Sequence, residues 1–546
     1  MLVLGRRFVG GLAVLGLALL SIGCASVRSE HPIVVSKWDL FERSFSSSRD
    51  YTNAPQEAEL RVVFTSPTGE SKLVYGFWDG GRDWKVRFSP DEVGRWFYST
   101  TCSDRKNEGL HRQQGTFYCT PSRGRTRFNA HGPIAVSPDG THFVHQDSTP
   151  FFWQGDANWS GALQSSPTEW EDYLQQRAAQ GFTAVEWVAT QWPGSPNGDR
   201  FDLRAFTGDD KIRIRPEFFN RLDEKVEAIS RAGLLSVPIL FWAGRDGTNA
   251  LTSPGYWLQE DQAILLGRYM VARWGAYAGA WILAGNGEFA GARSERWKRI
   301  GKAIFGSIPH APVTIYPAEM QWPRDEFSAE PWFSFVGYQA GHNTGDAALQ
   351  WLSTGPLSRD WSKPPFRPLI NLGTPLVASP VAASETIDAS WTARRLLYWS
   401  LLGGPMAGFT YDGRAQVNSA KAAGSLGSME GPGLEALGHI PELIGMIDFW
   451  KLRPAPDVLS SQPGMQSPHR YIVASRSPEG NLVVVYLSEE RSVSLLQRRL
   501  PPNFTASWFS PRTGEVVPVS AAVSDPTIQF ATPESGDWVL VVKGRR

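Results

Sequence analysis

The stretch Ala280-Trp281-Ile282-Leu283-Ala284-Gly285-Asn286-Gly287-Glu288 decides how the middle of the chain is read. A short apolar run ends abruptly in polar and acidic residues, the pattern of a buried parallel strand emerging into a site. In a β/α barrel such a strand end faces the active-site mouth. Glu288 is therefore the first catalytic candidate. The competing reading is a strand that runs into an ordinary surface loop.

Working outward, seven more runs share this character. Phe151–Gly155, Ala184–Val188 and Leu235–Leu240 precede it. Pro312–Tyr316, Phe335–Tyr338, Pro368–Leu372 and Met406–Tyr411 follow it. Helical patterns fall between them: Pro167–Gln180, Glu217–Ala232, Ala263–Trp274, Ser294–Ala303 and Thr392–Leu402. Three of these stop at Gly181, Gly233 and Gly403, where glycine takes the left-handed turn without strain. Strands alternating with helices predict an α/β fold, a (β/α)8 TIM barrel over residues 125–447.

Both flanks read as all-β. Leu60–Phe64, Trp84–Phe88 and Gly94–Tyr98 alternate in polarity between Gly, Pro and Asp, which predicts a β-sandwich over residues 34–124. Tyr471–Ala474, Leu482–Tyr486, Trp508–Gly514 and Trp538–Val542 predict a second sandwich over residues 448–546.

At 546 residues the chain is too long for one ordinary domain. A hydrophobic fraction of 42% suffices for real cores, and zero net charge without a long basic run argues against nucleic acid as a partner. The 23 tryptophans lean toward carbohydrate, because aromatic faces stack on the C–H faces of sugars. They would equally fill sandwich and barrel cores.

The amino terminus reads as an address. Arg6-Arg7, an apolar run from Phe8 to Ile22 and then Gly23-Cys24-Ala25-Ser26 describe a bacterial export signal. Ser21-Ile22-Gly23-Cys24 resembles a permissive lipobox, with Ser21 where Leu is more usual. Residues 1–24 are then a lipoprotein signal peptide, Cys24 the lipidated residue and 25–33 a tether to the membrane. The chain is expected in the cell envelope, periplasmic or outer-membrane anchored, or secreted if the lipobox is not used. Two acyl signals or more make such an anchor stable. The remaining pair, Cys102 and Cys119, is expected to form a disulfide in an exported protein. The alternative is two buried thiols.

Ordered motifs carry family resemblances. Phe77–Gly81, Val86–Pro90, Gly94–Tyr98, Gly109-Leu110 and Gly115–Phe117 resemble the amino-terminal sandwich called domain of unknown function 5060, found on many bacterial glycosidases. Pro150–Trp159, Arg177–Thr183, Pro216–Asp223, Trp281–Asn286, Tyr338–His342 and Arg394–Gly404 together resemble the apiosidase-like glycosidase barrels, the domain of unknown function 4038 type. Trp508–Gly514 resembles the collagen-binding-type sandwich that trails such barrels.

Glycoside hydrolysis needs two carboxyl groups flanking one bond. The barrel resemblance implies an aspartate after strand four and a glutamate after strand seven, and this chain departs from both. Asn286 stands at the first position, with Glu288 two residues on, and Gly373 stands at the second. Glu385 lies in the loop beyond. Other strand-end acids are Asp156, Glu186, Glu319 and Asp412. An inverting pair of Glu288 with Asp156 or Glu319 is conceivable. The favoured reading of Asp156 is a substrate hydroxyl contact or a structural hydrogen bond, and for Glu186 the alternative is a buried acid paired with an arginine. Trp153, Trp159, Trp192, Trp242, Asn286, Tyr316, Gln339, His342 and Tyr411 form the candidate sugar platform, although each would serve equally in a core. His142 and His145 lack a third ligand at metal spacing, so no metal is read and no cofactor is implied.

The expectation is an exported glycoside hydrolase acting on a plant or microbial polysaccharide side chain, with Glu288 as general acid. Glu319, Asp156 or Glu385 would be its base or nucleophile. The rival is a glycan-binding lipoprotein on an impaired glycosidase scaffold, motivated by Asn286 and Gly373. A structural or adhesive envelope protein comes third. The pattern specifies no oligomer.

Overall fold

Two-faced apolar strands are stable only when covered on both sides, and the eight central strands solve this by closing on themselves. The computed structural model describes residues 33–245, 249, 251–341, 345–375, 389–412, 434, 437–519 and 522–545. In it β1 (Trp153–Ala157), β2 (Ala184–Val188), β3 (Leu235–Trp242), β4 (Trp281–Gly287), β5 (Val313–Pro317), β6 (Val336–Tyr338), β7 (Leu369–Pro375) and β8 (Gly408–Asp412) form one parallel sheet. Its order is β5-β4-β3-β2-β1-β8-β7-β6. The β5–β6 seam nearly closes it. There the Thr314 hydroxyl donates to Phe335 O at 2.7 Å and accepts from Gly337 N at 2.9 Å, standing in for ladder bonds.

Period-two alternation sorts the side chains. Ala184, Val188, Leu235, Val237, Ile282, Ile370 and Leu372 fill the barrel interior. Val185, Trp187, Leu283, Val313 and Ile315 pack outward against the helices. Helix Pro167–Ala179 shows why the covering layer forms. Ser166 and Glu169 make a reciprocal capping box, and Trp170, Tyr173, Leu174 and Arg177 bury one face at helical spacing. The predicted helices begin and end within three residues of those observed, with Pro216–Arg231, Glu260–Trp274, Ala292–Phe305 and Ala389–Leu402 as the others.

Before the barrel, a five-stranded and a three-stranded antiparallel-rich sheet enclose Phe41, Phe64, Phe88, Trp96 and Phe117. After it, a six-stranded and a three-stranded sheet enclose Val483, Val485, Trp508, Leu540 and Val542.

The expected disulfide does not form. Cys102 and Cys119 are both free and buried. Strands Gly94–Cys102 and Gln114–Thr120 are neighbours, but their register pairs Cys119 with Gly94. Cys102 lies eight residues further along, about 27 Å at strand rise, far outside the roughly 7 Å Cα reach of a disulfide. Burial pushes the Cys119 thiol up to about 11. Without reductant, a thiol reagent at neutral pH is expected to label neither cysteine in the folded protein and both in denaturant. Failure to label them in denaturant would restore the disulfide.

The leading sandwich is welded to the barrel by a buried ionic network. Asp223, on helix Pro216–Arg231, accepts from Arg273 on the next helix and from Arg87 of the sandwich at 2.8 Å. Arg273 also pairs with Asp79 of the sandwich at 2.9 Å, and its side chain is 0% exposed. Burial alone would raise the Asp223 carboxyl, but Arg273 and Arg87 outweigh it and hold it below its ordinary value. A carboxylate held low stabilises the fold above the unfolded value of about 4 and loses that contribution as pH falls. Arg273→Ala is expected to cost about 3–5 kcal/mol at pH 7, read from denaturant melts. The gap from the parent should narrow on acidification below about pH 4.

Candidate active site

Two carboxylates point into the barrel at its carboxy-terminal end. Glu186 shares the inward parity of Ala184 and Val188 and is 0% exposed. The Thr410 hydroxyl donates to Glu186 Oε1 at 2.5 Å and itself accepts from Trp153 Nε1 at 3.0 Å. Asp412 lies two residues beyond Thr410 on β8, is 1% exposed, and accepts from Trp159 Nε1 at 3.3 Å. The ladder pairs Ala157 with Glu186 and Asp156 with Tyr411. Glu186 and Asp412 therefore flank Ala157 in one layer. Two strand spacings separate their backbones, about 10 Å, with both side chains converging on the barrel axis.

Aromatic rings cover this layer. Trp159 meets Tyr316 at 5.3 Å, Trp242 at 5.4 Å and Trp192 at 6.2 Å, and Trp192 meets Trp242 at 4.7 Å between ring centroids. The indole N–H groups of Trp192 and Trp242 are buried and find no acceptor among the described residues. An unmatched buried donor costs about 1–3 kcal/mol, and both of these lie within the ring cluster. The Tyr316 hydroxyl donates to Gln339 Oε1 at 3.0 Å, and Gln339 Nε2 donates to Pro317 O at 2.6 Å.

Gly373 faces the same space. A Cβ placed there would lie 2.9 Å from both Gln339 Oε1 and the Tyr316 hydroxyl. Those two groups occupy the direction a longer side chain would take. Asn286 is half-buried at the end of β4, where β4 and β5 slip in register, and adopts φ +54°.

Other candidates go elsewhere. Asp156 has the opposite parity from Glu186 and points into the helix layer. It accepts from Tyr173 Oη and Arg177 Nε, each at 2.5 Å. Tyr411 follows the same outward parity and packs on Phe182. Trp153 is the floor beneath Thr410. Glu288 has a 55% exposed side chain, 3.8 Å from Arg293, and opens onto a side cavity between the loop after β3 and helix Ala292–Phe305. Glu319 is exposed, with its carboxyl against the backbone of Gly341. Glu385, His342 and Cys24 lie outside the described residues. In the sequence, the signal for the inward pair is parity: Glu186 lies two residues from Ala184 on β2, and Asp412 two residues from Thr410 on β8.

The Asp156–Arg177 pair is closed to solvent, each side chain 3% exposed. Asp156→Asn leaves a buried guanidinium without its partner. The variant is expected to lose about 3–5 kcal/mol of stability in a denaturant melt. An unchanged midpoint would return Asp156 to the set of free carboxylates.

Comparison with known proteins supplies the family. The apiosidase-like catalytic domain model matches residues 137–451, more than half the chain. The DUF5060 model matches residues 34–103, and a collagenase collagen-binding domain model matches residues 454–543. A Bacteroides vulgatus ATCC 8482 structure described as "a putative glycoside hydrolase" superposes at a TM-score of 0.68 with 18% identity, over 94% of this chain and 99% of that one. A glycoside hydrolase family 5 structure from the same organism gives 0.63 and 18%, over 77% and 95%. At that identity the likeness shows the fold. A comparison with curated proteins found no match. With its barrel matched along nearly its whole length and the flanking sandwiches in order, the chain belongs to the apiosidase-like glycoside hydrolase family.

Proposed function

We propose that this chain is an exported glycosidase that cleaves a glycosidic bond in a plant or microbial polysaccharide side chain, with Glu186 and Asp412 as its carboxyl pair. The observation that carries it is the single inward layer holding both acids beneath the Trp159, Trp192, Trp242 and Tyr316 rings. One carboxyl protonates the leaving oxygen while the other attacks carbon or activates water. Backbones about 10 Å apart leave room for the 6.5–9.5 Å carboxyl separation of an inverting pair, or for the roughly 5–5.5 Å of a retaining one. Trp192 and Trp242 supply donors to sugar oxygens, and their faces supply the stacking surface. The export signal and Cys24 support a lipid-anchored place in the envelope, where polymeric glycans arrive from outside.

The second reading is a glycan-binding protein on an impaired scaffold. Asn286 and Gly373 favour it, because neither of the two positions where the family resemblance implies acids carries one. Tyr316 and Gln339 fill the space at Gly373.

The experiment is reducing-sugar release from a panel of plant and microbial polysaccharides by residues 27–546, with Glu186→Gln and Asp412→Asn alongside. The hydrolase reading expects release by the parent and a loss of about 10²–10⁴-fold in each variant. Release that survives both substitutions would move the chemistry to other residues. No release by the parent, with a glycan still bound, would make the second reading the correct one.

A further inference from the structure

We propose that the side cavity holding Glu288 is a second sugar subsite, taking a neutral, hydroxyl-rich ring of the same glycan. The inference rests on the glycosidase reading for its ligand class. It gives Glu288 a binding role in place of the proton-donating one that its strand-end position suggested.

The cavity has a volume of about 240 Å³ and begins one residue past Trp242 on the β3 side, at Ala243, and at the β4 terminus, at Gly287. It therefore adjoins the mouth without opening into the Glu186–Asp412 layer. Trp257 stands at its edge with 47% of its surface exposed, unusual for so large an apolar ring. An exposed indole at the edge of a polar cavity is a stacking surface for the C–H face of a sugar.

The polar wall is suited to a diol. Arg293 Nη2 is spent on the Tyr256 hydroxyl at 2.8 Å. Arg293 Nη1 stands 3.8 Å from Glu288 Oε2, too far for a hydrogen bond. The Glu288 carboxylate accepts no hydrogen bond among the described residues. An anionic acceptor and a cationic donor thus sit side by side, each with capacity left. Two neighbouring hydroxyls match that arrangement, one donating to Glu288 and the other accepting from Arg293. A uronate would bring its own carboxylate against Glu288, so the wall selects for a neutral ring.

The frame is built in advance. Arg296 donates to Gly255 O at 2.9 Å and to Leu258 O at 2.6 Å, tying the short helix Pro254–Trp257 to helix Ala292–Phe305. The Arg293 guanidinium also lies over the Tyr256 ring at 4.6 Å. Less freedom in these groups means less ordering cost when a ligand arrives.

The test is affinity electrophoresis of residues 27–546 in gels containing a xylan, a galactan, a mannan or polygalacturonate, repeated with Trp257→Ala, Glu288→Gln and Arg293→Ala. All three positions are on the surface, and thermal melts check that each variant is folded. Retention by at least one neutral glycan is expected, weakened about tenfold or more in each variant. Retention unchanged in all three variants, retention by polygalacturonate alone, or no retention at all would overturn the proposal. A Glu186→Gln arm separates this inference from the hydrolase reading. Retention that depends on Trp257 and Glu288 supports the subsite even where no bond is cleaved. Turnover without such dependence rejects the subsite and leaves the hydrolase reading intact.

Discussion

One residue of register moves a carboxylate from the inside of the barrel to the helix layer. Asp156 and Glu186 stand on adjacent strands, and in the ladder Ala157, not Asp156, is the partner of Glu186. Asp156 therefore meets Arg177 and Tyr173, whereas Glu186 meets Thr410. On β8 the same alternation sends Thr410 and Asp412 inward and Tyr411 outward. The polar content of the barrel centre depends on this parity, and so does the separation of the acid held in the helix layer from the acids inside the barrel.

Polar groups so deep require donors and room. The Trp153 indole fixes the Thr410 hydroxyl from below, and that hydroxyl is then aimed at Glu186. Glycine makes the approach possible. A Cβ at Gly155 would stand 2.6 Å from Thr410 Oγ1, and one at Gly408, where φ is +145°, would collide with the Trp153 carbonyl. Both glycines lie in strands, where glycine is otherwise costly. At Gly373 the logic runs the other way, because Tyr316 and Gln339 have closed on the space a side chain would need.

Much of the architecture was legible in the chain, because strand and helix periodicity are local signals. All eight barrel strands lie where the apolar runs predicted, and helix Pro167–Ala179 starts at the capping box spelled by Ser166 and Glu169. What could not be read was long-range. The two cysteines sit on adjacent strands, but only the register shows them to be far apart along the ladder. Glu288 follows a strand directed at the mouth, but the backbone takes φ +54° at Asn286 just before it, and Phe289 packs outward on Trp297. Asp156 and Glu186 look alike as strand-end acids. Their difference emerges only when each is counted from a neighbour of known direction.

The trailing sandwich belongs to the same argument, since it bears on the strands that hold the site. Helix Ala389–Leu402 lies over β7, where Ser400 accepts from Asn371 Nδ2 at 2.9 Å, two residues before Gly373. The helix is clamped from the other side. Arg394 forms two bonds to the buried Asp537, at 2.7 and 3.0 Å, and Tyr398 stacks on Tyr486 at 4.6 Å. The run Arg394–Gly404 thus forms a joint between barrel and sandwich. A bidentate ion pair closed to water holds one geometry firmly, and this one holds the helix that supports β7. The carboxy-terminal sandwich is thus tied, through helix Ala389–Leu402, to the strand whose end faces Tyr316 and Gln339.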